Sequence, residues 1–176
     1  MDIDWKNLES IVENYYKALY RYCYRMLRNK EDAEDMVQEV FININAALKN
    51  KRNVELHNNY IYKIAYNLCL NKIKRDKLIK FISFERTGIE DVQYKKDTYF
   101  EDELGEELNT ILSLLKGEDR SLLIFRAINE MDYKEISIIM GKSTASLRKT
   151  YERTRIKMRE IIKQREDIFS EKISIY

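Results

Sequence analysis

Residues 132–155 read DYKEISIIMGKSTASLRKTYERTR, and this stretch decides the fold of the second half of the chain. Asp132 and Glu135 have the three-residue spacing of a capping box, which predicts that a helix begins after Asp132. Gly141 is expected to end that helix, and Ser143 is in place to cap a second helix that begins at Thr144. Two helices joined by a short turn that contains glycine are typical of a helix-turn-helix, a motif that binds DNA.

The second helix of this motif has one apolar face and one charged face. At about 100° per residue, the residues expected to face inward are Leu147, Tyr151, Thr154, Met158 and Ile161, and those expected to face outward are Ala145, Lys149, Glu152 and Arg153. Lysine and arginine pair with guanine and glutamate pairs with cytosine, so the outward face suits contacts in a major groove. A solvated basic surface with no ligand is the other interpretation of the same pattern.

Composition favours an all-α fold. The 176 residues include no proline and four glycines, and 44% of them are hydrophobic. Apolar residues recur at helical spacing, and no segment alternates convincingly with a period of two. We therefore predict an all-α protein of two small helical domains joined by a flexible acidic linker, the second domain being the helix-turn-helix. The predicted bounds are 1–82 for the first domain, 83–103 for the linker, 104–165 for the second domain and 166–176 for a tail that frays.

The net charge of +2 hides an uneven distribution of charged residues. Residues 63–80 hold six lysines or arginines and one aspartate, and residues 141–165 hold nine lysines or arginines and two glutamates. Residues 85–103, between them, hold seven acids and three bases. Two basic surfaces are thus separated by an acidic connector.

The first domain is predicted to contain three helices, at about residues 7–28, 31–48 and 58–82. The second of them places Ile42 on its acidic and polar face, which indicates a protein partner, although one exposed isoleucine is also ordinary at a surface. The third interleaves tyrosines, asparagines and bases, which suits single-stranded nucleic acid because bases stack on rings while lysines contact phosphates. The abundance of tyrosine, 13 residues in all, is the other explanation of that pattern.

The sequence offers no recognisable site for catalysis, a metal or a cofactor. Cys23 and Cys69 lie far apart within apolar helical patterns, which predicts buried reduced thiols, and His57 is the single histidine. We find no paired carboxylates, no nucleophile with a histidine partner and no phosphate-binding glycine loop. The N-terminus lacks an apolar signal core and no run of 18 apolar residues occurs. We predict a cytoplasmic protein that is not an enzyme and does not insert directly into a membrane.

Three segments resemble the sigma factors of bacterial RNA polymerase, in particular the small extracytoplasmic-function (ECF) group. They are DAEDMVQEVF at residues 32–41, YIYKIAYN at residues 60–67, and residues 114–155, which include the helix-turn-helix. The first two resemble region 2 of the family and the third resembles region 4, in the family's order and spacing. Tyr60 stands where the family usually has tryptophan. The resemblance implies an alternative sigma factor that binds core RNA polymerase and directs promoter recognition and transcription initiation.

The resemblance also implies partners and residue roles. The partners are core RNA polymerase, through its largest-subunit clamp and its flap, promoter DNA, and an anti-sigma factor. Polymerase binding is expected from Asp32, Asp35, Gln38, Glu39 and Ile42. The residues expected at the minus-ten element are Arg52, Asn53, Asn58, Tyr60, Lys63, Asn67, Asn71 and Arg75. Those expected at the minus-thirty-five element are Ser146, Arg148, Lys149, Glu152, Arg153, Arg155 and Arg159.

Two other functions are compatible with the residues taken alone. A stand-alone helix-turn-helix transcriptional regulator would bind operator DNA as a symmetric dimer without polymerase, but it leaves the first domain without a role. An all-helical protein-interaction module leaves the basic face of the second domain unexplained.

Overall fold

The computed structural model of the chain describes residues 7–49, 57–87 and 105–173, and every regular element within these ranges is a helix. The elements are α1 (Leu8–Leu27), α2 (Lys30–Lys49), α3 (Asn58–Thr87), α4 (Gly105–Ser113), α5 (Gly117–Leu123), which continues directly as a π-helical turn (Ile124–Ile128), α6 (Tyr133–Met140) and α7 (Thr144–Ile173). The predicted all-α fold is confirmed.

Helices α1, α2 and α3 form an N-terminal unit. The Asn7 side chain caps α1 by accepting a hydrogen bond from the Glu9 N–H at 3.0 Å, and Asn29 does the same for the Asp32 N–H of α2 at 2.8 Å. These caps satisfy N–H groups that have no partner within the first turn of a helix. The apolar faces of the three helices pack against one another, and the fully buried side chains at the centre are Leu19, Cys23, Val37, Val40, Ile61 and Ala65.

Helices α4 to α7 form a C-terminal unit. Its buried centre contains Leu112, Leu122, Phe125, Ile136, Ile139 and Leu147. The inward face predicted for α7 is confirmed, since Leu147 and Thr154 are buried while Tyr151, Met158 and Ile161 are half-buried.

Two helices are longer than the sequence predicts. Helix α3 continues to Thr87 rather than ending near Ile82, and α7 continues to Ile173 through most of the predicted tail. No glycine or proline interrupts either extension, so backbone hydrogen bonding can continue after the buried face has ended. The exposure of Leu78, Ile79 and Phe81 shows that α3 already extends beyond its core there. Fading periodicity therefore marks the end of packing, not the end of the helix.

The two units pack against each other, a contact that the sequence did not predict. Helix α1 contacts α4 and α5, and α3 contacts α5 and α6. Buried residues from both units belong to one continuous apolar cluster. The linker predicted between the units falls mostly at residues 88–103, outside the described residues, and its first five predicted residues are helical in α3.

Candidate nucleic-acid and polymerase interfaces

The turn between α6 and α7 is held by side-chain caps on both sides. The Asp132 carboxylate accepts hydrogen bonds from the N–H groups of Glu135 and Lys134 at 2.8 and 2.7 Å, and Glu135 accepts one from the Asp132 N–H at 2.8 Å. The bond from the Glu135 N–H is the main reason that the pKa of Asp132 is lowered. Gly141 has a φ of 66°, a left-handed conformation that costs other residues about 1–2 kcal/mol. The Ser146 N–H then bonds to Ser143 Oγ at 3.2 Å, so both caps predicted from sequence are present.

The first turns of α7 present polar and basic side chains to solvent. Ser146, Arg148, Lys149, Glu152, Arg153 and Arg159 are exposed, and Arg155 is half-exposed. The Arg148 guanidinium lies over the Tyr133 ring at 5.4 Å, which fixes its direction by a cation–π contact. Arg155 pairs with Glu152 at 3.3 Å, so the Glu152 carboxylate already has a partner on its own helix. The other exposed cations of this face, Lys149, Arg153 and Arg159, can contact phosphates or base edges.

Helix α3 brings most of the predicted minus-ten residues onto one side. Lys63, Asn67, Asn71 and Arg75 are exposed and recur every four residues, so they form a continuous polar stripe. Tyr60 is half-buried against the apolar cluster at the start of this stripe, and Asn58 is also half-buried. Arg52 and Asn53 lie outside the described residues.

The acidic face of α2 divides into a structural end and an exposed end. Asp32 forms an ion pair with Lys72 of α3 at 3.0 Å, and Lys72 also contacts Asp76 at 3.1 Å. Burial alone would lower the pKa of Lys72, but the hydrogen bonds from its ammonium group to these two carboxylates outweigh that effect and raise it. Asp32 therefore helps to join α2 to α3. Asp35, Gln38, Glu39 and Ile42 point into solvent, and Ile42 is 60% exposed, as its place on the helix predicted.

An aromatic contact joins the two units. The ring of Tyr22 on α1 stacks on the ring of Phe125 in the π-helical turn, with centroids 4.9 Å apart and planes 7° from parallel. Tyr62 of α3 meets Phe125 edge-on at 5.8 Å, and the Tyr22 hydroxyl lies 2.8 Å from Ser121 Oγ. Tyr22, Phe125 and Ser121 are all fully buried. We call Tyr22, Tyr62, Ser121 and Phe125 the inter-unit cluster.

Arg120 strengthens the same contact through the backbone. Its buried guanidinium donates hydrogen bonds to the carbonyl of Met26 in the last turn of α1, and to the carbonyls of Ser113 and Leu115 at 2.6 and 3.2 Å. The last carbonyls of a helix have no partner within it and carry the negative end of its dipole. The Arg120 guanidinium therefore provides hydrogen-bond donors to carbonyls at the C-terminal ends of both α1 and α4.

Burial raises the pKa of three tyrosines in this region. It raises the pKa of Tyr62 and of Tyr66 to about 12, and that of Tyr22 well above 10.0. Cys23 and Cys69 are buried free thiols, as predicted. A hydrogen bond with Cys23, and then burial, raise the pKa of Cys69 well above its ordinary value.

The described residues contain no group of histidine, cysteine, aspartate or glutamate arranged to hold a metal ion. None of the helices in the described ranges is long and apolar enough to cross a membrane.

Two family models match the chain, one in each unit. Sigma-70 region 2 matches residues 11–78, within α1 to α3, and Sigma-70, region 4 matches residues 105–158, within α4 to α7. In sequence, the chain is similar to RNA polymerase sigma factor YlaC of Bacillus subtilis (strain 168), being 26% identical over 165 residues that cover 92% of this chain and 95% of YlaC. It is also similar to ECF RNA polymerase sigma factor SigW of that organism, with 27% identity over 164 residues that cover 85% of this chain and 86% of SigW.

In fold, the chain is similar to the sigma factor RpoE in its complex with the anti-sigma factor NepR from Bartonella quintana. The TM-score is 0.68 at 17% sequence identity, and the alignment covers 88% of this chain and 96% of RpoE. At that identity the likeness is one of fold.

Proposed function

Since the chain belongs to the ECF group of sigma-70 factors, and is thus an alternative sigma factor that directs transcription initiation, we propose a role for each of its two units. The N-terminal unit docks on core RNA polymerase through α2 and binds the minus-ten element through α3. The C-terminal unit binds the minus-thirty-five element through α7. The chain contributes no catalytic step of its own and acts in the cytoplasm, where polymerase is.

One observation carries this proposal: both regions of the family match, in order, one to each helical unit. The exposed basic face of α7 supports duplex recognition, because phosphate contacts fix the register of a helix while a few side chains reach base edges. We propose Arg148, Lys149 and Arg153 for the groove, with Glu152 reaching cytosine once its pairing with Arg155 is exchanged. Ser146, Arg155 and Arg159 then contact phosphates.

The polar stripe of α3 supports capture of single-stranded DNA. Lys63 and Arg75 provide cations to the phosphates, while Asn67 and Asn71 provide both donors and acceptors to base edges. Tyr60 offers the ring on which a base stacks. Asn58 lies at the start of the same helix, and Arg52 and Asn53 precede it in sequence.

The exposed end of the α2 face supports docking on polymerase. Ile42 is 60% exposed and is flanked by acids and an amide. This arrangement suits a protein interface with an apolar centre and a polar rim. We propose that Ile42 provides this centre, and Asp35, Gln38 and Glu39 the rim. Asp32 contributes chiefly by fixing α2 against α3.

Promoter binding requires the two units to separate. The minus-ten and minus-thirty-five elements are, by their names, about 25 base pairs apart. This separation is roughly 85 Å along a duplex at about 3.4 Å per base pair. A compact folded chain of this length has a radius of gyration near 16 Å and is about 40 Å across. The packed arrangement is therefore too short to reach both elements, and we propose that polymerase and DNA replace the contacts of the inter-unit cluster.

An anti-sigma factor is a further proposed partner. RpoE, which has the same fold, forms a complex with the anti-sigma factor NepR. A partner that binds this chain in its packed arrangement would prevent the separation that promoter binding requires.

Run-off transcription with purified core polymerase tests the proposal. We expect the chain to co-purify with core and to direct initiation at a set of promoters that core alone does not use. Unchanged promoter choice together with no co-purification would refute it. Specific binding of operator DNA by a dimer without polymerase would favour the stand-alone regulator instead.

A further inference from the structure

A groove with a basic rim lies between the two units. It is open to solvent on one side and has a volume of about 640 Å³ between α3, the turn before α5, and α7. Its floor is apolar, formed by Leu70 and Ile73 with the backbone of Gly117 packed against both. Its cations come from three segments of the chain and from both units; they are Lys74, Lys77, Lys116, Arg153 and Lys157.

The positive charge of this groove is poorly neutralised. Two acids, Glu118 and Asp119, line it as well, but Glu118 is already paired with Lys142 at 2.5 Å. Within the described ranges, none of the five cations forms an ion pair of its own. All five are exposed. A concave surface lined by one sign of charge concentrates the field and attracts counter-ions of the opposite sign.

The shape and chemistry of the groove fit a small oligophosphate. Its volume lies within the range of about 300–1,000 Å³ that is typical of small-molecule sites, whereas a DNA duplex is too broad to enter. Lysine ammonium groups bind phosphates as point charges, and arginine binds them through two parallel hydrogen bonds. The apolar floor beside the cations suits the flat face of a nucleobase.

We propose that this groove binds a small oligophosphate, either a nucleoside polyphosphate or an inorganic phosphate chain. Such a ligand contacts α3 and α7 at the same time, so it binds the packed arrangement better than the separated one. By linkage, it raises the population of the packed arrangement. It also occupies Arg153, one of the proposed groove contacts to DNA, and therefore opposes promoter binding.

The test is titration calorimetry of the full chain with tripolyphosphate, ATP and GTP at an ionic strength near 0.1 M, where the Debye length is about 10 Å. A variant with Lys77→Glu and Lys157→Glu removes one cation of the groove from each unit. The matched control carries Lys17→Glu and Lys163→Glu, which change two exposed lysines outside the groove by the same charge. Circular dichroism checks that both variants are folded.

We expect at least one of the three probes to bind, with an affinity about tenfold or more lower in the groove variant and nearly unchanged in the control. Tighter binding of ATP or GTP than of tripolyphosphate would assign the apolar floor to a nucleobase, and equal binding would assign the site to a phosphate chain. No binding by any of the three probes, or an equal loss of affinity in the control variant, would overturn the proposal.

Discussion

The hydrogen bond between Tyr22 and Ser121 tests whether the inter-unit cluster holds the two units together. Replacing Tyr22 with phenylalanine keeps the ring that stacks on Phe125 and removes only the hydroxyl, which lies 2.8 Å from Ser121 Oγ. Ser121 is fully buried, so its hydroxyl loses this partner without gaining water. Losing the bond and leaving a buried polar group unpaired costs about 1–2 kcal/mol. That cost lowers the ratio of packed to separated chains about 5- to 30-fold.

Energy transfer between two fluorophores measures this ratio. Cysteines introduced at Ala18 of α1 and Lys134 of α6 are exposed sites for labelling, one in each unit. The native Cys23 and Cys69 are buried and should not react while the chain is folded. Tyr22→Phe should lower the population with high energy transfer, whereas Tyr16→Phe, on an exposed tyrosine of the same helix, should not.

A double-mutant cycle measures the coupling between Tyr22 and Ser121 directly. Ser121→Ala alone should also favour separation, and the double variant should be less affected than the sum of the two, because either change removes the same bond. We expect a coupling of about 0.5–1.5 kcal/mol. Additive effects, or an unchanged ratio in both single variants, would mean that this bond does not hold the units together.

Lys149→Ala should weaken binding of the minus-thirty-five element about 5- to 150-fold, since a good base contact contributes about 1–3 kcal/mol. Core binding measured by pull-down should be unchanged, and its loss would count against the assignment. Ile42→Arg should reduce core binding measured by pull-down, while Ile156→Arg, at an isoleucine that is 54% exposed on α7, should not. Since burial raises the pKa of Tyr62 to about 12 from 10.0, the stability that depends on the neutral phenol is present below pH 10 and lost as pH rises toward 12. The midpoint of thermal unfolding should fall across that window, less so in Tyr62→Phe, and an equal fall in both proteins would contradict this.

Local signals in the sequence account for the parts of the fold that depend on neighbouring residues. The spacing of Asp132 and Glu135 predicted a capping box, and Gly141 predicted the left-handed end of α6; both are present. The helical period also placed Ile42 on the exposed side of α2, and its exposure confirms that placement. These features are predictable because the residues that cause them lie within a few positions of one another.

The contact between the units was not predictable in the same way. Tyr22 and Phe125 each sit in an apolar pattern that their own unit explains, and they are separated by more than 100 residues. Nothing in either pattern shows that one ring stacks on the other. Helices α3 and α7 also continue beyond their predicted ends. Those ends were predicted from the fading of the apolar pattern, whereas backbone hydrogen bonding continues after the buried face has ended. The assignment of base-contacting residues stays a prediction.

The two units pack together in the free chain, and we propose that they separate on a promoter. Energy transfer between the labels at Ala18 and Lys134 tests this in the free chain, in the holoenzyme, and in the holoenzyme on a promoter fragment identified by run-off transcription. We predict high transfer in the free chain, consistent with a particle about 40 Å across, and almost none on the promoter, where the two elements lie roughly 85 Å apart. High transfer in a complex that initiates transcription would contradict the account.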